Sequence, residues 1–135
     1  MQATKRIDLR WCDFDVNGHV NNAAYLFFLE DTRGVWLARV LDDVGATMRF
    51  VVAHVAIDYR SAVERAVDHV LCDCELRHMG TSSVTTREVV RVPTGDVVAE
   101  AEVVLVASDP STGRARPLSD AERNSFQVVE RSSSS

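Results

Sequence analysis

The sequence predicts an α+β fold, an antiparallel sheet curled around one long buried helix, and three observations lead there. Residues 22–42 form a helical stretch that is apolar around most of its circumference, with Phe27, Phe28, Leu29, Trp36, Leu37 and Val40 spread over its faces. A helix of that kind belongs inside a protein rather than on it. Four β-branched-rich runs follow, at residues 50–60, 69–78, 82–92 and 97–107, each the length of a long strand. Between the last three runs lie little more than Met79-Gly80-Thr81 and Pro93-Thr94-Gly95-Asp96, and connections this short join antiparallel neighbours. The strands are the part of the chain able to wrap the helix.

In chain order, residues 4–11 come first, with Ile7, Leu9 and Trp11 alternating against Arg6, Asp8 and Arg10, the pattern of a half-buried strand. Asn21 or Asn22 caps the long helix, and Gly45 stands just past its end, where a left-handed residue finishes a helix. Residues 64–68 break the first long strand from the second, and residues 110–113 make a turn. Ser119 and Glu122 have the spacing of a capping box and open a short helix to about residue 126. Residues 1–130 read as one domain, and the serine-rich tail at 131–135 reads as disordered.

Bulk properties narrow the class. A chain of 135 residues buries roughly two-thirds of its unfolded surface, enough for a core without disulfides or metal. Its composition, 46% hydrophobic and 26% charged, is that of a globular protein. The net charge of −5 argues against nucleic acid or an anionic membrane as partner, since both call for surplus Lys and Arg. Cys12, Cys72 and Cys74 are an odd set with no leader segment before them, which suits reduced thiols in the cytoplasm. No apolar run approaches the roughly 20 residues of a membrane span.

The densest chemistry lies just before the helix, in Asp13-Phe14-Asp15-Val16-Asn17-Gly18-His19-Val20-Asn21-Asn22. Loops that carry carboxylates, amides and an imidazole on a rigid scaffold are where function concentrates. With Arg10-Trp11 before it and Tyr25-Leu26 and Glu30 after it, the segment resembles the signature of hotdog-fold acyl thioesterases. It is similar to the 4-hydroxybenzoyl-CoA thioesterase branch and, in the loop, to the plant acyl-carrier-protein thioesterases. The resemblance is strong in the N-terminal part of the chain and continues beyond it as strand pattern.

That resemblance implies hydrolysis of an acyl thioester. A thiol with a pKa of about 8.5 leaves readily, so the reaction needs a polarised carbonyl and a nucleophile or general base. Free N–H groups and the dipole at a helix N-terminus polarise an oxygen, and in the resemblance the amide that does so matches Asn22. The carboxylate of the 4-hydroxybenzoyl branch matches Asp15, as nucleophile or as base. In the plant-type loop the functional Asp, Asn and His match Asp15, Asn17 and His19. There His19 would activate water or steady the thioester, and Asn17 would orient the carbonyl. The plant family adds a carboxylate after a Tyr-Arg pair. Here Tyr59-Arg60 is followed by Ser61-Ala62, so the acid's place falls on Ala62 and the weight shifts to Asp15. Asp13 reads as a turn-former and Gly18 as a residue of positive φ. Tyr25 either lines the acyl pocket or packs, and Glu30 needs a basic partner if buried.

Other chemistries fit less well. A zinc site from Asp13, Asp15 and His19 lacks further nitrogen or sulfur ligands. Cys72 and Cys74 alternate onto one strand face, and neither a phosphate cradle nor a serine elbow occurs. No metal and no cofactor is expected. In hotdog thioesterases the pantetheine arm of the thiol carrier runs near the turn that here holds Gly80, Thr81 and Ser82, with glycine for close approach and two hydroxyls as donors. The resemblance also implies protomers sharing a continuous sheet, hence a homodimer or homotetramer, and open sheet edges give that pairing a physical motive. The leading expectation is an acyl-CoA thioesterase. The alternatives are a thioesterase acting on acyl-carrier-protein-bound intermediates and a non-catalytic acyl-CoA binding protein, a class that usually loses the loop carboxylate retained here as Asp15.

Overall fold

The computed structural model describes residues 2–42, 44 and 49–133. Its elements follow in the order β1 (Gln2–Asp8), α1 (Asn22–Val40), β2 (Arg49–Tyr59), β3 (His69–Met79), β4 (Ser83–Arg91), β5 (Val97–Ser108) and α2 (Asp120–Ser133), with one 3-10 turn at Trp11–Asp13. The strands make one antiparallel sheet in the order β1-β3-β4-β5-β2. β3, β4 and β5 are the meander that their short connections require. β2 crosses over to pair with β5, Tyr59 opposite Ala99 and Arg49 opposite Ser108, and so becomes an edge.

Strand alternation decides what faces α1. Val70, Cys72 and Cys74 of β3, Val84 and Val90 of β4, and Val103 and Leu105 of β5 share one core with Phe28, Leu29 and Trp36 of the helix. Burial pushes the Cys72 thiol up to about 12 and raises Cys74 as well, so both stay protonated and unreactive at neutral pH. One ion pair crosses this core. Arg33 of α1 donates from Nε and Nη2 to Glu88 of β4 at 3.0 and 3.1 Å, and the Thr86 hydroxyl and Cys74 thiol donate to the same carboxylate. Glu88 is fully enclosed. A buried pair of this kind adds little net stability, yet breaking it is costly.

Four details depart from the sequence expectation. β1 ends at Asp8, and Trp11 is 83% exposed instead of continuing the strand. The Asp13 carboxylate takes the Arg10 backbone N–H at 2.7 Å and its guanidinium at 3.0 Å, which turns the chain away from the sheet. On α1 the sheet covers one face only, so Leu26 and Phe27 stand exposed. Glu30 lies on the exposed side of the helix, where water solvates it, and needs no basic partner. α2 runs past residue 126, the expected end, to Ser133. It does so because Phe126 and Val129, one turn apart, are both buried, with Phe126 against Trp36 and Phe50. Its start is the expected capping box, Glu122 N–H to the Ser119 hydroxyl at 3.1 Å and Ser119 N–H to the Glu122 carboxylate at 2.8 Å. Gly45, Ser134 and Ser135 lie outside the described residues.

Candidate active site

The loop between β1 and α1 is a small hairpin. Phe14 bridges Val20, Asp15 N–H reaches the His19 carbonyl at 2.8 Å, and Gly18 N–H reaches the Asp15 carbonyl at 3.1 Å. Gly18 has φ 77°, the left-handed residue that closes a three-residue hairpin loop. One oxygen of Asp15, Oδ1, accepts the Asn17 and His19 backbone N–H groups at 2.9 and 3.2 Å. Among the described residues no donor meets its other oxygen. The turn therefore uses half of this carboxylate to fix its orientation and leaves the other half free.

The hairpin feeds straight into α1. Asp13, almost fully buried, takes the Asn21 N–H on its carbonyl at 2.7 Å, so it serves as the turn-former. The Asn21 side chain caps the helix by accepting Ala23 N–H at 2.9 Å, and the Asn21 carbonyl accepts Ala24 N–H at 2.9 Å. Among the described residues no acceptor meets the Asn22 N–H. It is a free donor at the positive end of a 19-residue helix. The Asn22 carbonyl is held by the Tyr59 hydroxyl at 2.9 Å.

The other expected residues divide. Asn17 is exposed at the hairpin tip. Tyr25 is buried, its ring edge-on to Tyr59 at 5.1 Å and beside Phe28, and burial raises its hydroxyl pKa. It packs under the helix start. Gly80, Thr81 and Ser82 are not brought to the loop within one chain. β3 begins at His69, opposite Asp8, and ends at Met79, so at about 3.3 Å per residue the turn sits at the far end of the sheet. Its carbonyls are engaged by Leu118 and Ala107 N–H groups and by Arg123.

Known proteins resemble this chain over most of its length. Residues 9–126 match the thioesterase-like superfamily. The chain is 32% identical over 119 residues to the long-chain acyl-CoA thioesterase FadM of Escherichia coli, covering 84% of this chain and 88% of that protein. The chain belongs to the thioesterase-like superfamily. A thioesterase from Thermus thermophilus, complexed with coenzyme A and Zn, superposes with TM-score 0.82 at 30% identity over 96% of this chain and 94% of the other. The DHNA-CoA thioesterase of Staphylococcus aureus matches in fold alone, with TM-score 0.84 at 11% identity over 98% and 93% of the two chains. The fold is thus the hotdog fold of these thioesterases, and the chemistry is thioester hydrolysis.

Reading the sequence for thioesterase residues misses Glu64. His19 Nε2 lies 3.2 Å from Glu64 Oε1, the two residues form a backbone bridge, and Val20 N–H bonds the Val63 carbonyl at 3.0 Å. Arg65 follows, its guanidinium 5.5 Å from the Phe14 ring centre. The segment after β2 thus runs along the loop, and an acid does reach His19, two positions beyond Ala62. Hollows flank the loop. One of about 540 Å³ is lined by Ser61, Val63, Glu64, Val67 and Val98, and another of about 500 Å³ by Arg10, Asp13, Phe27, Phe28 and Asp31. Among the described residues no three His, Cys, Asp or Glu side chains are grouped to hold a metal ion, and no helix is long and apolar enough to cross a membrane.

Proposed function

We propose that this protein is an acyl-CoA thioesterase in which Asp15 is the catalytic carboxylate and the Asn22 N–H the oxyanion donor. The observation that carries the reading is a half-free carboxylate on a short hairpin that leads directly into a helix whose first N–H is unpaired among the described residues. Asp15 acts in one of two ways. As general base it takes a proton from water while the water oxygen bonds to the acyl carbon. The oxyanion rests on Asn22 N–H, and its collapse breaks the C–S bond and releases the thiolate. As nucleophile it displaces the thiolate to form a mixed anhydride, which water then opens. One aimed donor is typically worth 10²–10³ in rate, and the helix dipole adds to it. His19 and Asn17 assist from the same hairpin.

The assembly is a homodimer formed through β2, or a homotetramer built from it. What supports this is that β2 is an edge with Val51, Val52 and Tyr59 exposed, a liability unless covered. Two copies related by a two-fold axis across that edge run antiparallel. The partner's Gly80–Ser82 turn is then carried to the same end as this chain's Asp15, which would let Gly80, Thr81 and Ser82 guide the carrier arm while Tyr25 floors the acyl site. Work in the cytoplasm fits three free cysteines.

Thiol release from CoA esters of graded length and aromaticity tests the reading, with acyl carrier protein esters as a second arm. Turnover of at least one CoA ester is expected. No release from any ester would overturn the assignment, and release from carrier-protein esters alone would reassign the substrate.

A further inference from the structure

We infer that Glu64 is a positioning residue for His19, fixing which imidazole nitrogen carries the proton. The inference rests on the thioesterase reading above. The nitrogen facing Glu64 is Nε2, at 3.2 Å from Oε1. The contact is an ion-pair approach rather than an aligned hydrogen bond; a carboxylate only accepts, so a neutral imidazole that turns an N–H toward Glu64 does so from Nε2 and keeps Nδ1 as its acceptor. Among the described residues no group meets Nδ1, which leaves it to accept a hydrogen bond from the hydrolytic water that Asp15 activates.

An exposed ion pair is ordinarily worth little, because two long side chains must be ordered to make it, and the side chains of His19 and Glu64 are 40% and 67% exposed. Here the backbone has already done the ordering. The His19–Glu64 bridge and the Val20–Val63 hydrogen bond fix both Cα positions face to face. Asp15 fixes the His19 main chain from the other side, at 3.2 Å. Arg65, the next residue along, has its guanidinium 5.5 Å from the Phe14 ring centre. The neighbours of His19 thus divide its placement between them, with Asp15 orienting the backbone and Glu64 the ring.

The test is the tautomer of His19, read on the full-length protein by two-bond ¹H–¹⁵N correlation of the imidazole. The native protein is expected to show Nε2–H with an unprotonated Nδ1. Glu64→Ala should give a mixture of tautomers, and Glu64→Gln, which keeps an acceptor at the same reach, should restore most of the native pattern. In thiol-release kinetics Glu64→Ala should lower kcat roughly tenfold with little change in KM. That loss is below the 10²–10⁴ of a group that itself transfers the proton. An unchanged tautomer in Glu64→Ala, or a native Nδ1–H form, overturns the inference. The spectrum needs no turnover, so absence of thioesterase activity would sink the functional reading while leaving this one to stand or fall by itself.

Discussion

Replacing Asp15 by asparagine separates its structural role from its chemical one. The asparagine carbonyl oxygen can still accept the Asn17 and His19 N–H groups that now reach Oδ1 at 2.9 and 3.2 Å. The hairpin therefore keeps its hydrogen bonds, and the stability change should stay within about 1 kcal/mol. The charge is what disappears. An amide neither attacks a thioester nor takes a proton from water, and loss of a general base costs about 10²–10⁴ in rate, or about 3–5 kcal/mol of barrier. Asp15→Ala removes the acceptor too. Two half-solvated N–H groups then depend on water, a cost of about 1–2 kcal/mol, while kcat should fall no further than in Asp15→Asn. Thiol release at saturating acyl-CoA and a thermal melt of each variant give both quantities. Near-native turnover by Asp15→Asn would refute the mechanism, and a kcat loss that simply followed melting temperature across the two variants would show the residue to be structural.

Arg33→Met strands the enclosed Glu88 carboxylate and should cost about 3–5 kcal/mol in urea unfolding, with Arg33→Met/Glu88→Leu recovering most of it. Burial opposes the charge on Glu122, but hydrogen bonds from Arg116 and Ser119 outweigh it and hold its pKa below the ordinary 4.5. A depressed carboxylate contributes stability that is fully present above its unfolded value and drains away as pH falls through the folded one. Glu122→Gln should therefore flatten the loss of stability below pH 4.5, as read by melts across acid pH. Val52→Lys on the exposed β2 edge should yield monomer in sedimentation velocity and lose turnover. Co-expressing Asp15→Asn with Thr81→Trp chains should restore about a quarter of native turnover, the binomial share of intact shared sites, whereas about half, the share of chains with a native Asp15, would place the turn outside the site.

The parts of the fold legible in the sequence are those set by local rules. Strand alternation and two short connections suffice for β3, β4 and β5, whose observed ends lie within one residue of the expected runs. The start of α1 follows from the Asn21 cap, and Asp13, Asp15 and Gly18 announce a turn by residue type alone. Trp11 misled because period-two alternation cannot register that Asp13 will claim the Arg10 backbone. The exposure of Val51 and Val52 was equally hidden. Whether a strand is central or an edge depends on pairing order, and nothing within residues 49–59 says that the strand pairs only with β5.

Glu64 shows the same limit at the site. Its approach to His19 depends on the register between the hairpin and the segment after β2, set by Val20 on Val63, and register between distant segments leaves no periodic trace. A search by motif spacing stops at Ala62 because it counts along the chain, while the imidazole selects by reach. The free oxygen of Asp15 and the free N–H of Asn22 are also invisible in sequence, since each is defined by what its neighbours use up. The hairpin assigns Oδ1 to its own N–H groups, and Asn21 assigns its two oxygens to Ala23 and Ala24. Under the proposed function, chemistry is left at the atoms the fold does not consume, among the described residues one carboxylate oxygen of Asp15 and the Asn22 N–H at the start of α1.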